Sequence, residues 1–583
     1  MPTLEWIGKN KVINHHMDVP YRVLERQYSY DEQGQHNEDN GSENMIIHGD
    51  NLEALKSLLP RFWGGVSCIY IDPPYNTGNE GWVYNDNVND PKIKKWLGEV
   101  VGKEGEDLSR HDKWLCMMYP RLKLLQKLLA DDGVIFISID DAEYANLKLA
   151  CDEIFGANCF VSNISWQRTY STRNDSKGIV NEVEHILVYS KKPEWMPNKL
   201  PRTDEMNSKY KNPDNDVTLW RTDNAFAPGA ATHQGMVYAI QHPFTGKMLY
   251  PSNGACWRYQ QDTMLQIMNG WTRYELKDLH DEKERAHICG VPVEEVRPEV
   301  KAIVLADPLE IAAENAQRVL ERGQWPRFFF TKNGKGGIAR KTYLENVGGR
   351  LPTNFWPFAE TGHTDEAKKE MLAIFDGKAT FDTPKPHRLL EFVLRVAGNK
   401  NTLILDSFAG SGTTAHAVLN MNKADGGNRK FILIEMMDYA DSITAERIKR
   451  VIKGYGDDKK AVPGTGGSFS YYELGKPLMN GDYLNEDVGI GKIREYIWFT
   501  ETRANFHEPN EDKPYYLGTN KNTAYYFYYE KEKACVLNHV FLSSITVKQE
   551  NYVIYADRCA ISADDLQKFG IIFKKIPRDI TTL

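Results

Sequence analysis

The stretch Asn401-Thr402-Leu403-Ile404-Leu405-Asp406-Ser407-Phe408-Ala409-Gly410-Ser411-Gly412-Thr413-Thr414 decides the fold. It begins with an apolar run typical of a buried strand, continues through a glycine turn and opens into a helix. Glycines at such a turn let a ligand approach the backbone closely. Because the pattern lacks the full Gly-x-Gly-x-x-Gly spacing and no Gly-Lys-Ser/Thr follows it, it favours neither a dinucleotide site nor a P-loop.

A second apolar run, 431–434, ends in Glu435, and an acidic residue at such a strand end is suited to bind ribose hydroxyls. The glycine turn alone is a weak signal, since a purely structural strand-to-helix turn fits it equally well. Further strand-like runs at 66–71 and 134–139, with a helix-like run at 122–129 between them, give the alternation of an α/β sheet.

The run 66–71 leads directly into Asp72-Pro73-Pro74-Tyr75. The lone pair of an exocyclic amine is delocalised into its ring, so the amine attacks a methyl group only when acceptors engage its N–H groups. Asp72 offers one acceptor and the Pro73 carbonyl another, and prolines contribute no competing N–H donor. Tyr75 offers a ring for stacking. The stretch therefore indicates methylation of an exocyclic amine, although by itself it is also compatible with a simple strand-ending turn.

Taken together, the 72–75 and 406–412 stretches resemble the catalytic and S-adenosylmethionine motifs of beta-class amino-group DNA methyltransferases, in which the catalytic motif comes first. Residues 47–55, 76–78 and 83–86 narrow the resemblance to the modification (Mod) subunits of type III restriction systems. The permuted order is harmless, because a parallel sheet places the carboxyl ends of its strands along one crevice. The resemblance implies a Rossmann-like, doubly wound α/β methyltransferase sheet with circularly permuted motifs, an inserted target-recognition domain and a C-terminal α+β extension.

The resemblance also implies roles for individual residues. The catalytic set is Asp72, Pro73, Pro74 and Tyr75. The cofactor set is Asp50, Lys385, Pro386, Asp406, Phe408, Gly410, Gly412, Thr413 and Glu435. Residues 383–386 resemble the motif that walls the methionine end of the cofactor. Asp50 resembles the acid near its adenine, but it also precedes an amphipathic leucine run and so predicts a helix N-cap. No metal is expected.

The expected domains follow from the same reasoning. An N-terminal segment (1–40) precedes a catalytic half (41–195), a target-recognition domain (196–380), an S-adenosylmethionine-binding half (381–456) and an extension for dimer or partner contacts (457–583). The polar, turn-rich residues 28–44 read as a mobile surface segment. The insertion is too long for a simple loop, which makes a separate binding domain the economical interpretation.

Composition sets only broad limits. The 583 residues imply several domains, and the 8 cysteines show no zinc-ligand spacing, so buried or free thiols are expected. No run is long and apolar enough to span a bilayer, and the first residues do not resemble a signal peptide. We therefore expect a cytoplasmic protein without membrane contacts, which by resemblance is prokaryotic and associated with the nucleoid.

The net charge of −8 is unusual for a DNA-binding protein, because cationic contacts to phosphates supply most nonspecific affinity. Binding then depends on local patches. The best candidate is 327–350, where basic residues alternate with aromatic residues and glycines. Its candidate DNA contacts are Arg327, Lys332, Lys335, Arg340 and Lys341. A buried phenylalanine strand followed by a solvated loop is the alternative.

These observations predict a site-specific adenine-N6 methyltransferase that acts on flipped adenines in duplex DNA, as the modification and specificity subunit of a type III system. A homodimer and a separate restriction subunit are the implied partners. The alternatives are a stand-alone methyltransferase, cytosine-N4 specificity, an RNA or protein-glutamine methyltransferase, or a non-catalytic recognition subunit. Asp72 favours adenine over cytosine by family resemblance.

Overall fold

The computed structural model describes residues 4–77, 110–170, 179–456, 460–509 and 513–578. Gly78 and residues 83–86, which contributed to the resemblance, lie outside the described residues. The chain divides into two compact units. The first, the catalytic unit, contains Met1–Asn198 and Pro352–Leu583, and the second, the inserted unit, contains Lys199–Leu351.

The largest sheet within the described residues has 11 strands and belongs to the catalytic unit. In chain order its strands are β1 (Arg22–Asp31), β2 (Gly34–His36), β3 (Met45–His48), β4 (Val66–Ile71), β5 (Leu129–Ile139), β6 (Phe160–Gln167), β7 (Val183–Ser190), β8 (Phe355–Trp356), β9 (Leu403–Asp406), β10 (Lys430–Glu435) and β11 (Phe469–Pro477). Their spatial order is β8-β6-β7-β5-β4-β9-β10-β3-β11-β1-β2.

The middle of this sheet is parallel. Strands β5, β4, β9, β10, β3 and β11 run in one direction, and the flanking strands β7 and β1 pair antiparallel with them. The principal helices of the same unit are α1 (Asn51–Phe62), α2 (Arg110–Leu128), α3 (Asp141–Phe155), α4 (His387–Ala397), α5 (Thr413–Asp425) and α6 (Glu446–Lys453). Apolar residues of β4, β5, α1 and α2 form one continuous core. The expected α/β fold with permuted motifs is confirmed.

This topology brings the predicted motifs to one edge. Strands β4 and β9 are parallel neighbours, with Ile404 opposite Cys68 and Leu405 opposite Ile69. Since parallel neighbours end at the same edge of a sheet, the residues that follow β4 and β9 meet there. Strands β9 and β10 are also parallel neighbours, so the end of β10 lies at the same edge.

Two expected boundaries differ from the structure. Residues 28–31, expected in a mobile segment, lie in β1, which pairs with β11 from the expected C-terminal extension. Tyr28 and Tyr30 pack against Phe469 and are buried, which a surface segment would not be. Residues 352–380, expected in the insertion, lie with the catalytic unit, and β8 pairs with β6 in the central sheet.

The inserted unit has its own apolar core, in which tryptophans and phenylalanines pack together. Its strands are Trp220–Asn224, Phe226–Pro228, Ile240–Gln241, Met248–Leu249, Ala255–Trp257, Tyr274–Lys277, Ala302–Leu305, Phe328–Phe330 and Ile338–Tyr343. Its longer helices are Gln261–Met268, Glu282–Cys289 and Leu309–Arg322.

The C-terminal part of the catalytic unit carries a four-stranded sheet. Its strands, in spatial order, are Tyr516–Asn520, Thr523–Phe527, Asn551–Ala556 and Ile571–Lys575. Helices Ile490–Thr502, His539–Ser544 and Ala563–Lys568 accompany it. All the cysteines are free thiols, and all but Cys559 are buried, as expected. Among the described residues, no helix combines the length and the apolar character needed to cross a bilayer.

Candidate active site

The Asp72–Tyr75 stretch follows directly on β4 and is fixed by side chains from α2 and from the stretch itself. The Tyr75 hydroxyl donates to Asp72 Oδ1 at 2.7 Å. The Pro74 carbonyl accepts from the Trp114 indole N–H at 2.6 Å. Trp114 is fully buried, so this bond is shielded from water. The backbone that carries Asp72 is therefore rigidly placed before any ligand arrives.

Asn76, which sequence reasoning missed, ends this stretch in a left-handed conformation with φ 57°. Asparagine tolerates this region better than most residues. Its buried amide donates to the Arg110 carbonyl at 3.1 Å and to the Glu143 carboxylate. These bonds stabilise the sharp exit from Tyr75. The only local signal was an Asn directly after the motif.

The glycine turn after β9 is tied to the end of β10. Glu435 Oε2 accepts the Gly410 N–H at 2.8 Å, and Glu435 Oε1 accepts the Met437 N–H at 2.9 Å. Gly410 and Gly412 have φ of 51° and 79°, and a Cβ at Gly412 would lie 3.1 Å from the Thr444 carbonyl oxygen. Glycine is required at both positions because L side chains rarely adopt this conformation.

Asp406 holds the same turn from the end of β9. Its Oδ2 accepts from the Thr414 hydroxyl at 2.6 Å, and its Oδ1 accepts the Phe408 N–H at 3.1 Å. Burial raises the pKa of Asp406 to about 7, and burial also raises the pKa of Glu435 to about 7. Two buried carboxyl groups in one turn, each with a pKa raised toward 7, are typical of a functional site.

Asp72 and the glycine turn line one cleft. Its lining comes from the β4 end, from the stretch before α4 and from the glycine turn: Tyr70, Asp72, Phe381, Thr383, Pro384, Lys385, Leu390, Asp406, Phe408, Ala409, Gly410, Ser411, Thr413 and Thr414. The lining thus includes Asp72 from the predicted catalytic set and Lys385, Asp406, Phe408, Gly410 and Thr413 from the predicted cofactor set.

Asp50 is the N-cap of α1, as the leucine run predicts. Its Oδ1 accepts from the Leu52 and Glu53 N–H groups at 2.8 and 3.1 Å. Its Oδ2 pairs with Arg121 at 3.4 Å. The adjacent Gly49 N–H donates to the Glu435 carbonyl at 3.0 Å, which places Asp50 beside the end of β10. The capping role is confirmed, and the cofactor role stays a prediction.

Lys385 reaches the catalytic stretch. Its ammonium donates to Asp72 Oδ1 at 3.0 Å and to the Tyr75 hydroxyl at 2.8 Å, and it lies 3.3 Å from Glu184 Oε2. Its carbonyl accepts from the Thr413 hydroxyl of the glycine turn at 3.1 Å. Pro386 is the buried N-cap of α4.

Glu184, on β7, is a second residue that sequence reasoning missed. It is almost completely buried, and its carboxylate pairs with Arg168 at 3.1 Å in addition to Lys385. Burial favours the neutral acid, but the Lys385 and Arg168 charges outweigh it and lower the pKa of Glu184. A charged residue at the start of the apolar run 185–190 was the available signal.

A cluster behind the glycine turn contains Glu370, His387 and His416, whose ligand atoms lie within 4.8 Å of one another. The Arg447 guanidinium lies 3.1 Å from both Glu370 Oε2 and His416 Nδ1, so a cation already fills this cluster. Arg447 also donates to the Thr413 hydroxyl at 2.8 Å. The cluster therefore supports the turn from behind.

The predicted DNA contacts separate into two groups. The structure contradicts the predicted DNA contact of Lys341. Its side chain is fully buried, and its ammonium binds Asp214 and Asp216 at 2.5 and 2.6 Å. It is a core cation of the inserted unit and has no surface to offer a phosphate. Arg340 is partly buried and pairs with Asp223 at 2.5 Å.

The other candidates lie at the surface of the inserted unit. Arg327, Lys332 and Lys335 are exposed. Lys332 and Asn333 form a left-handed turn, with φ 51° at both residues, and Lys335 follows this turn. The turn joins the buried strand Phe328–Phe330 to its partner strand. The alternative from the sequence, a buried phenylalanine strand followed by a solvated loop, describes this local structure.

Residues 66–446, more than half of the chain, match the model of a family described as DNA methylase and labelled for N6 and N4 methyltransferases. The chain belongs to this family. S-Adenosylmethionine is the methyl donor of the family.

Among curated relatives, the StyLTI Mod subunit of a type III restriction-modification enzyme from Salmonella typhimurium is 33% identical over 78% of this chain and 64% of its own length. The EcoP15I Mod subunit from Escherichia coli is 28% identical over 78% of this chain and 66% of its own. The chain thus spans less than two thirds of the length of these relatives. The solved PvuII DNA methyltransferase (cytosine-N4-specific) aligns with 70% of this chain and 86% of its own, at 13% identity and a TM-score of 0.32.

Proposed function

We propose that this chain transfers a methyl group from S-adenosylmethionine to the N6 amine of adenine in duplex DNA. The observation that carries the proposal is the single cleft lined by both Asp72 and the Gly410 turn. This shared lining places the residue proposed to bind the amine next to the turn proposed to bind the methyl donor, and such proximity favours transfer between them.

The residues present fit the cofactor. The Glu435 carboxylate accepts the Gly410 and Met437 N–H groups at 2.8 and 2.9 Å, and it also hydrogen-bonds with Met436 and Tyr439. These bonds fix its orientation at a strand end, where an acidic residue is suited to bind ribose hydroxyls. The glycines at 410 and 412 leave the backbone uncovered, and Asp50 lies beside the same strand end. When bound, S-adenosylmethionine supplies a sulfonium methyl group as the electrophile. In this proposal Glu435 binds the ribose and the turn 406–413 holds the rest of the cofactor.

The catalytic stretch is proposed to bind the base whose amine receives the methyl group. Asp72 accepts one amine N–H, the Pro73 carbonyl accepts the other, and the Tyr75 ring stacks on the base. The amine of a paired base lies inside the duplex, so the base must be flipped into the cleft. Asp72, Pro73, Pro74 and Tyr75 then act by orientation and hydrogen bonding, which makes the nitrogen lone pair available.

The inserted unit is proposed to read the DNA sequence, and Arg327, Lys332 and Lys335 are its proposed phosphate contacts. Phosphate contacts fix the register of a protein on the duplex, whereas base contacts specify the sequence. The StyLTI and EcoP15I relatives are named as Mod subunits of type III restriction-modification enzymes. We extend this to the chain as a proposal: a modification subunit that works as a dimer with a separate restriction subunit.

Cytosine-N4 is the second candidate, because the family label covers N6 and N4 enzymes. The test is transfer of labelled methyl from S-adenosylmethionine to unmethylated duplex DNA, followed by hydrolysis and separation of the nucleosides. N6-methyladenine confined to one short asymmetric site is the expected product. N4-methylcytosine as the labelled product would favour the second candidate, and the absence of label from the DNA would contradict both.

A further inference from the structure

The acceptor of the proposed amine is already occupied in this structure. Lys385 Nζ lies 3.0 Å from Asp72 Oδ1 and 3.0 Å from Asp72 Oδ2, so both oxygens face one ammonium. The Tyr75 hydroxyl donates to Asp72 Oδ1 as well. A base that enters with its amine toward Asp72 must therefore take hydrogen bonds that Lys385 now makes.

The Lys385 ammonium resembles the group that would replace it. Like an exocyclic amine, it is a nitrogen that donates to Asp72 while lying beside an aromatic ring, here 5.0 Å from the Tyr75 ring centroid. A charged hydrogen bond of this kind is roughly twice as strong as a neutral one, so its place is not given up without compensation.

Glu184 provides that compensation. Its Oε2 lies 3.3 Å from Lys385 Nζ and 3.2 Å from the Tyr75 hydroxyl, and Arg168 holds its other oxygen at 3.1 Å. Two cations and two carboxylates thus form a neutral set, and the ammonium has a second carboxylate to which it can shift without losing its charge. Burial lowers the pKa of Lys385, but Asp72 and Glu184 outweigh burial and raise it, so the side chain stays a cation.

We propose that Lys385 is a stand-in for the target amine: it fills the Asp72 and Tyr75 hydrogen bonds until a base enters, and then moves onto Glu184. Lys385 and Glu184 are accordingly positioning residues of the amine pocket and not residues of the cofactor site. The inference rests on the proposed function. It adds that Lys385 satisfies the hydrogen bonds of the amine pocket while no base is bound. The apparent affinity for the base is reduced by the fraction of molecules in which Lys385 still occupies Asp72.

The two residues have opposite predicted effects, which a merely structural role would not produce. In Lys385→Met the base no longer displaces an ammonium, so KM for unmethylated genomic DNA falls by about threefold or more. In Glu184→Gln the ammonium loses the charge that receives it, so KM rises by about threefold or more. In the double variant the Glu184→Gln effect disappears, because no ammonium remains to be received.

The experiment measures KM and kcat for DNA, and Kd for S-adenosylmethionine by calorimetry, in the wild type, the three variants and Lys369→Met as an exposed control. We expect Kd for the cofactor to stay within about twofold in every variant. A cofactor Kd weakened about tenfold in Lys385→Met, or KM shifts of the same sign in the two single variants, would overturn the inference alone. Intact cofactor binding without DNA methylation by the wild type would instead overturn the proposed function, and the inference with it.

Discussion

Replacing Glu435 with Gln isolates one carboxylate of the cofactor turn. The side chain keeps its size, but it loses its charge and exchanges one acceptor oxygen for an NH₂ donor. That donor then faces either the Gly410 or the Met437 N–H, which now donate at 2.8 and 2.9 Å. The ribose loses a charged acceptor at the same time.

The expected loss follows from the hydrogen bonds. A hydrogen bond to a charged group contributes about 1.5–3 kcal/mol. At about 1.4 kcal/mol for each tenfold change, the Kd for S-adenosylmethionine should rise roughly 10- to 150-fold. Because the wild-type pKa is about 7, the charged acceptor is mostly present at pH 8 and mostly lost at pH 6.

Calorimetry at pH 6, 7 and 8 on the wild type and Glu435→Gln measures both effects. Any titration of the cofactor itself cancels in the comparison. The wild type should bind progressively tighter than the variant as the pH rises. Glu446→Gln, which removes a helix-surface carboxylate paired with Arg450, is the matched control and should bind like the wild type. Equal Kd values for Glu435→Gln and the wild type at pH 8 would refute the reasoning.

The remaining predictions concern charges whose places the structure fixes. Lys341→Met should destabilise the inserted unit by about 3–5 kcal/mol in urea unfolding, since the Asp214 and Asp216 carboxylates lose the cation that pairs with them. Exposed Lys332→Met should change stability by less than about 0.5 kcal/mol but lower the salt dependence of DNA binding by about one phosphate contact; equal stability losses would contradict this contrast. Asp406 has a raised pKa in the folded state, so it binds its proton more tightly when folded, and its stabilising contribution is present at low pH and lost as the pH rises from about 4 through 7. Asp406→Asn should therefore gain stability relative to the wild type between pH 5 and 8, by up to about 4 kcal/mol, and a pH-independent difference would count against the buried-acid interpretation.

The parallel centre of the sheet could be predicted because its strands carry local signals. Strands β4, β9 and β10 are apolar runs that end in Asp72, Asp406 and Glu435, and each of these acids marks the strand end in the sequence itself. These signals were enough to predict that the three acids lie at one edge of the sheet, because neighbouring parallel strands end at the same edge.

The pairing of β1 with β11 had no such signal. These strands are more than 400 residues apart, as the register of Tyr28 opposite Tyr471 shows, and β1 carries polar residues that read as a surface turn. Its tyrosines are buried by tertiary packing against residues distant in the chain, among them Phe469 and Tyr471.

The sequence indicated which residues belong to the site more reliably than it indicated which residues their side chains contact. Lys341 lay in a basic run, but alternation in the strand Ile338–Tyr343 turned it toward two aspartates. Lys385 lay in a stretch that resembles a cofactor motif, yet its long side chain reaches Asp72. A flexible cation can reach any acid within several ångströms, and the sequence does not state which acid that is.

The central claim is that Asp72 binds the amine that receives the methyl group, and the most direct measurement compares the wild type, Asp72→Ala and the exposed control Asp132→Ala. Each is tested for labelled methyl transfer from S-adenosylmethionine to unmethylated duplex DNA and for cofactor binding by calorimetry. The account predicts adenine labelling by the wild type and the control, and a loss of about 100-fold or more in Asp72→Ala while its cofactor Kd stays within about threefold. Transfer by Asp72→Ala at the wild-type rate, with the same cofactor affinity, would contradict the account.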